Sequence, residues 1–248
     1  VKITKKISTL TEYKEKLYKY NMTHIFILCY NESVLLPHTI AHYRRNIPYA
    51  NITILDNEST DGSQDIAHQL GCHVIPWSSH NTMDFYLYNN IKNHCWKHVH
   101  GWVILVDMDE WLCITDQELE HELQNGTTLI SSRFVDMVAE SKNEHLTDIH
   151  LHTLNRCVEK QNKMVCFYRN GMNEMNFNMD HCHPVGRIQY SFRNYTIKHM
   201  SFLGLPFYTR KILDRYDRTD GQCAKYTDNI NTITNEYNQH LMNSNILN

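Results

Sequence analysis

The residues with the clearest chemical potential are Asp107, Asp109 and Glu110, which stand directly behind the apolar run Trp102-Val103-Ile104-Leu105-Val106. A continuous run rich in β-branched and aromatic residues reads as a strand buried on both faces. Such a strand cannot carry unpaired charge inside the core. Asp107 and Asp109 are therefore expected where it emerges, in the crevice at the carboxyl edge of a parallel sheet. Two carboxylates at i and i+2 can converge on one divalent cation when the strand ends in a turn, and hard oxygen ligands suit Mg or Mn. An ordinary strand with a polar end has the same local sequence, so the surrounding elements must decide.

Two further apolar runs end in polar turns. His24 to Tyr30 leads into Asn31-Glu32-Ser33, and Asn51 to Asp56 leads into Asn57-Glu58-Ser59-Thr60-Asp61-Gly62. Between them a helix is expected from Leu35 to Arg45, with Pro37 tolerated in its first turn. A helix over Ser63–Leu70 closed by Gly71, a strand over Cys72–Trp77 and a helix from Asp84 to about His98 follow. Thr115 and Glu118 form a capping box for another helix to about Leu123, and Thr127–Val135 reads as a strand. This alternation predicts an α/β fold with a doubly wound, mostly parallel, Rossmann-like sheet in a single domain. In such a sheet the three polar turns lie along one edge, where ligands bind. None of them is GxxxxGK[ST] or GxGxxG, so neither a P-loop NTPase nor a dinucleotide-binding oxidoreductase is supported.

The expected organisation is a helical lead-in over residues 1–22, a ligand-binding α/β half over 23–135, and a second half over 136–248. In that second half Asp136 to Thr153 reads as a loop or lid. Lys163–Tyr168 and Gly186–Phe192 read as short strands and Leu205–Tyr216 as a helix. The tail from Asp228 reads as a last helix or an irregular segment.

The 248 residues carry a formal charge of −3, which gives no electrostatic case for a nucleic-acid surface. No apolar run approaches the ~18 residues that span a bilayer. The basic N-terminus lacks the apolar stretch of a signal peptide, and a start at Val1 suits a processed form or a fragment. The 8 cysteines show no CxxC pair, and sequons at Asn31 and Asn57 fall in the turns expected at the ligand edge. A reducing, non-glycosylating compartment, cytoplasmic or on a cytosolic face, follows as the expectation.

Cys29-Tyr30-Asn31-Glu32, then Asp56-Asn57-Glu58-Ser59-Thr60-Asp61-Gly62-Ser63, then Asp107-Met108-Asp109-Glu110-Trp111 resemble the successive signatures of GT-A fold glycosyltransferases of the family 2 type. The resemblance covers about residues 23–115. It implies a transferase with a nucleotide-sugar donor of the UDP- or GDP-sugar class, a Mn or Mg cofactor and an unknown acceptor. Tyr30 and Glu32 would line the nucleotide pocket, Asp56 would accept hydrogen bonds from the base, and Asp61 would stand at the rim. Asp107 would face the ribose or metal, Asp109 would hold the cation, and His199, in Lys198-His199-Met200, resembles a third metal ligand. Trp111, beside the acids, is the aromatic best placed to stack on a sugar or base. The acidic pair that opens a helix after the metal motif in inverting members is missing. Asp136, Glu140 and Asp180 stand as candidate general bases in its place. Two readings compete: a nucleotidyltransferase acting on a sugar phosphate, which the missing Gly-rich loop in residues 29–46 disfavours, and a non-catalytic carbohydrate-binding module on the same fold.

Overall fold

The apolar runs become strands because each buries both of its faces. In the computed structural model, which describes residues 22–141, 143, 150–178, 181–219 and 226–247, residues Ile25 and Ile27 pack with Leu36, Ile40 and Tyr43 on one side of the sheet. Phe26 and Leu28, alternating with them, pack with Trp96 and Val99 on the other. Trp102, Ile104 and Val106 divide from Val103 and Leu105 in the same way. A strand with period-two burial on both sides has no polar face to offer water, which is why its charges appear only at its end.

In chain order the elements are β1 (His24–Cys29), α1 (Leu36–Asn46), β2 (Asn51–Asn57), α2 (Ser63–Gln69), β3 (His73–Trp77), α3 (Phe85–His94), β4 (Trp102–Asp107), β5 (Glu110–Cys113), α4 (Asp116–Gln124), β6 (Ser132–Val138), β7 (Arg156–Glu159) and β8 (Cys166–Tyr168). Then come four short strands, β9 (Met172–Glu174), β10 (Phe177–Asn178), β11 (His181–Cys182) and β12 (Val185–Gly186), followed by β13 (Tyr195–Phe202), α5 (Leu205–Arg218), α6 (Ile230–Asn243) and β14 (Asn245–Ile246).

The main sheet has the order β3-β2-β1-β4-β8. Its first four strands are parallel and β8 is antiparallel to β4. Helices α1 and α2 contribute to the core on one face, and the residues of and after α3 to the core on the other. This is the expected α/β, doubly wound, mostly parallel sheet. The chain winds outward from β1 through β2 to β3, then returns to place β4 on the opposite side of β1. The carboxyl ends of β1 and β4 therefore flank a topological switch point, where the two connections diverge and leave a crevice.

The second half departs from expectation in instructive ways. A second sheet, β14-β7-β6-β13-β5, begins with β5 immediately after the Asp107–Asp109 turn, where the sequence reads only as a polar strand end. The expected strand over Thr127–Val135 is shifted to β6. Residues 127–131 instead lie beside residues 187–191, with Thr128 N–H and Leu129 N–H both donating to the Gln189 carbonyl at 2.8 and 3.1 Å. The expected loop from Asp136 is at first strand, because β6 continues to Val138. The helix over 84–98 ends at His94, and the strand over 186–192 contracts to the β12 pairing. The tail is helical as α6, packed on α5 through Tyr237 and Ile233. The lead-in over residues 1–21 lies outside the described residues. No described helix is long and apolar enough to cross a membrane.

Candidate active site

A cavity of about 510 Å³ opens at the switch point, lined by Tyr30, Glu32, Asp107, Asp109, Asp136 and His199 among others. Its floor is set by how the strand ends are stitched together. Asn31, in the left-handed region at φ 53, turns the chain sharply after β1. Its N–H donates to Ser59 Oγ at 2.9 Å and its side-chain oxygen accepts from Thr60 N–H at 2.8 Å. Glu32 N–H donates to Ser63 Oγ at 3.0 Å and Ser33 N–H to Asp61 Oδ2 at 2.8 Å. The polar turns after β1 and β2 thus act as one unit that aims Glu32 into the cavity.

Opposite, the two sheets meet at the turn between β4 and β5. The register sets His199 on β13 beside Glu110 of β5 on one side and Asp136 of β6 on the other. His199 Nδ1 lies 2.6 Å from Asp136 Oδ1, and its Nε2 lies 3.0 Å from Asp109 Oδ2. Burial alone would discharge this imidazole, but Asp109 and Asp136 outweigh it and push its pKa up to about 9. Gly204, at φ 90, lets the chain turn abruptly from β13 into α5. Helix α5 then lays Lys211 over the acids: its Nζ donates to Asp109 Oδ2 and lies 3.6 Å from Glu32 Oε1.

Each acid of the motif has a cationic partner, and two of them share one. Lys163 Nζ donates to Glu110 Oε1 at 2.5 Å and lies 3.6 Å from Asp107 Oδ2. Tyr88 of α3 donates its hydroxyl to Asp107 Oδ1. Burial opposes ionisation at Asp107, but Lys92 and Lys163 prevail and set its pKa at about 2. Asp109 is likewise buried, yet Lys211 and His199 hold its carboxyl well below the usual range. Glu32 and Glu110 go the other way, because burial outweighs their lysines.

The expected site residues divide by position. Tyr30, Glu32, Asp107, Asp109, Asp136 and His199 face one cavity, with Arg218 stacked on the Tyr30 ring at 3.6 Å from its centroid. Asp56 lies fully buried at the end of β2, with Oδ2 accepting from Ser59 N–H at 3.1 Å and Gln64 Nε2 at 2.6 Å, while its buried Oδ1 has no partner. Asp61 does not line the cavity; its carboxylate accepts from Ser33 and Ser63 and fixes the turn. Trp111 corrects the sequence reading. Because β5 enters the second sheet, Trp111 points into the core at 1% exposure, stacks on His42 at 4.9 Å and donates its indole N–H to Thr39 Oγ1. Glu140 is exposed and does not line the cavity, and Asp180 lies outside the described residues. Lys163, Lys211, Arg215 and Tyr88 were missed in the sequence; in α5 the cations at 211 and 215, one helical turn apart, were the only available signal.

The donor set suits a hard divalent cation in kind. Asp109 Oδ2 lies 3.0 Å from His199 Nε2 and shares Lys211 with Glu32, and His199 is held from behind by Asp136, the arrangement that orients a ligating imidazole. The ammonium of Lys211 sits between the two carboxylates as a stand-in cation. No group of three acids, histidines or cysteines among the described residues is placed to hold an ion by itself.

No family model matches the chain. Over 54 residues, 21% of the chain and 42% of the relative, it is 37% identical to Protein RfbJ of Shigella flexneri. Among solved structures it is similar to the mannosyltransferase PcManGT from Pyrobaculum calidifontis in complex with GDP-Man and Mn2+, at a TM-score of 0.43 and 11% identity over 79% of this chain and 61% of that one. It is also similar to S. aureus TarS 1-349 in complex with UDP-GlcNAc, at a TM-score of 0.40 and 11% identity over 77% of this chain and 64% of that one. The chain thus matches less than two thirds of the length of each, and the geometry of its own cavity carries the functional reading.

Proposed function

We propose that the chain is a metal-dependent glycosyltransferase that moves a sugar from a nucleotide-sugar donor to an acceptor at the cavity between β1, β4 and α5. The observation that carries this reading is the convergence of Glu32, Asp107, Asp109 and His199 with Lys211 and Arg215 on one concave site. Acids at the strand ends with cations laid over them from α5 suit a ligand that brings a diphosphate together with a divalent cation.

In this reading Asp109 and His199 hold the Mn or Mg ion, with Glu32 beside them. When bound, that ion supplies Lewis-acid stabilisation of the charge that develops on the departing nucleoside diphosphate. Lys211 and Arg215 add fixed positive charge from α5. Asp107, anchored by Tyr88 and Lys163, faces the ribose. Tyr30, backed by Arg218, offers its ring to the base. Asp56 is fully buried and does not itself line the cavity, but its unpartnered Oδ1 would be satisfied by a base N–H reaching the end of β2, because a buried carboxylate oxygen is costly without a donor.

Of the candidate bases, Asp136 reaches the cavity. Burial opposes its ionisation, but hydrogen bonds from His199 and His240 outweigh that and hold its carboxyl far below the usual range. Asp136 is therefore a weak proton acceptor at neutral pH and serves here to orient His199.

The test is a hydrolysis screen across UDP- and GDP-sugars with and without Mn. Metal-dependent release of a nucleoside diphosphate supports the transferase. Metal-independent stabilisation by free glycans alone, with no donor turnover, favours the binding module.

A further inference from the structure

Lys211 is 7% exposed, and its ammonium is enclosed by the carboxylates it pairs with rather than reaching out to solvent. Its Nζ donates to Asp109 Oδ2, the same oxygen that lies 3.0 Å from His199 Nε2, and it lies 3.6 Å from Glu32 Oε1. These groups are the ones that would ligate a divalent cation. Cation and ammonium therefore compete for one place, because a second positive charge within a few ångström of the first is strongly repelled in a partly buried site. The lysine is carried on a flexible four-carbon stem from α5, and Arg210 and Arg215 line the cavity from the same helix.

We propose that Lys211 is an exchangeable stand-in for the divalent cation: it neutralises Asp109 and Glu32 in the empty site, yields Asp109 when the cation binds, and turns to the diphosphate of the donor. This rests on the transferase reading above. It adds that metal and nucleotide bind cooperatively, since the diphosphate supplies the anion that the displaced ammonium needs. No covalent bond is made or broken.

The experiment titrates Mn, followed by electron paramagnetic resonance of the free ion, into the nucleotide-free full chain and into Lys211→Met. Removing the competitor should tighten Mn binding by about tenfold or more, the equivalent of one modest lost repulsion. At saturating Mn the same variant should bind a nucleoside diphosphate more weakly. Lys211→Gln, which keeps a donor toward Asp109, should behave in the same way and serves if Lys211→Met does not fold. Equal Mn affinity in wild type and a folded neutral variant would overturn the exchange while leaving the cation site standing. Absence of Mn binding from every form, with or without nucleotide, would overturn the exchange together with the metal-dependent reading.

Discussion

Replacing Lys163 by methionine provides a quantitative test of how the acidic turn is held. Lys163 and Glu110 are both nearly buried, with side-chain exposures of 8% and 3%, and they meet at 2.5 Å. Methionine keeps much of the aliphatic stem but leaves Glu110 without its cation. Removing one partner of a buried pair costs about 3–5 kcal/mol, because the remaining charge keeps its desolvation penalty. For a domain of this size that corresponds to a fall in Tm of roughly 6–20 °C. Burial already raises the Glu110 pKa against the pull of Lys163, and without the lysine it should rise further. A carboxyl whose folded pKa lies above its unfolded value favours the fold at low pH and loses that contribution as pH rises through the folded pKa. The deficit of Lys163→Met should therefore be largest near pH 8 and shrink toward pH 5. The double variant Lys163→Met/Glu110→Gln should recover most of the loss, and thermal unfolding of the full mutant cycle at both pH values measures the coupling. A Lys163→Met protein with wild-type Tm at pH 8 would refute the argument.

Two predictions concern the structural side of the site. His42 is buried against Trp111, which lowers its pKa to about 4, so its neutral form stabilises the fold fully above its unfolded value and that contribution disappears as pH falls toward 4. The loss reaches about 3 kcal/mol; urea unfolding between pH 7.5 and 4.5 measures it, and a His42 resonance that titrates near 6.5 in the folded protein would contradict it. Trp111→Ala should destabilise by about 3–5 kcal/mol through cavity formation and the lost bond to Thr39, whereas Trp111→Phe should fold and keep its metal-dependent nucleotide affinity. A folded Trp111→Phe that no longer binds nucleotide would restore the stacking role the structure withdraws.

The first half of the fold was legible because its signals are local. Apolar runs, the Thr115–Glu118 capping box and Gly71 after α2 each report on a few neighbouring residues, and the strand–helix alternation then constrains the sheet. The placement of Glu32, Asp107 and Asp109 at one edge followed from that alternation. What was not legible depends on pairing between distant segments. His199 was named through the resemblance alone, and it meets Asp136 and Asp109 because β13 pairs with both β6 and β5, separations of 63 and 90 residues for the two contacts. Trp111 was misread for the same reason: an aromatic after three acids looks exposed until β5 is known to enter a second sheet. Lys163 opens the segment read as a short strand, and its burial is decided by the acids it meets rather than by its own neighbours in sequence.

The central claim is that Asp109 is the cation-binding acid of a nucleotide-sugar site. Calorimetric titration of UDP and GDP into wild type and Asp109→Asn, each with Mn and with a chelator, tests it directly. Wild type should bind at least one of the two nucleotides about tenfold or more tightly with Mn than without, and Asp109→Asn, folded by circular dichroism, should lose that dependence. A folded Asp109→Asn that retains the full Mn-dependent affinity would contradict the account.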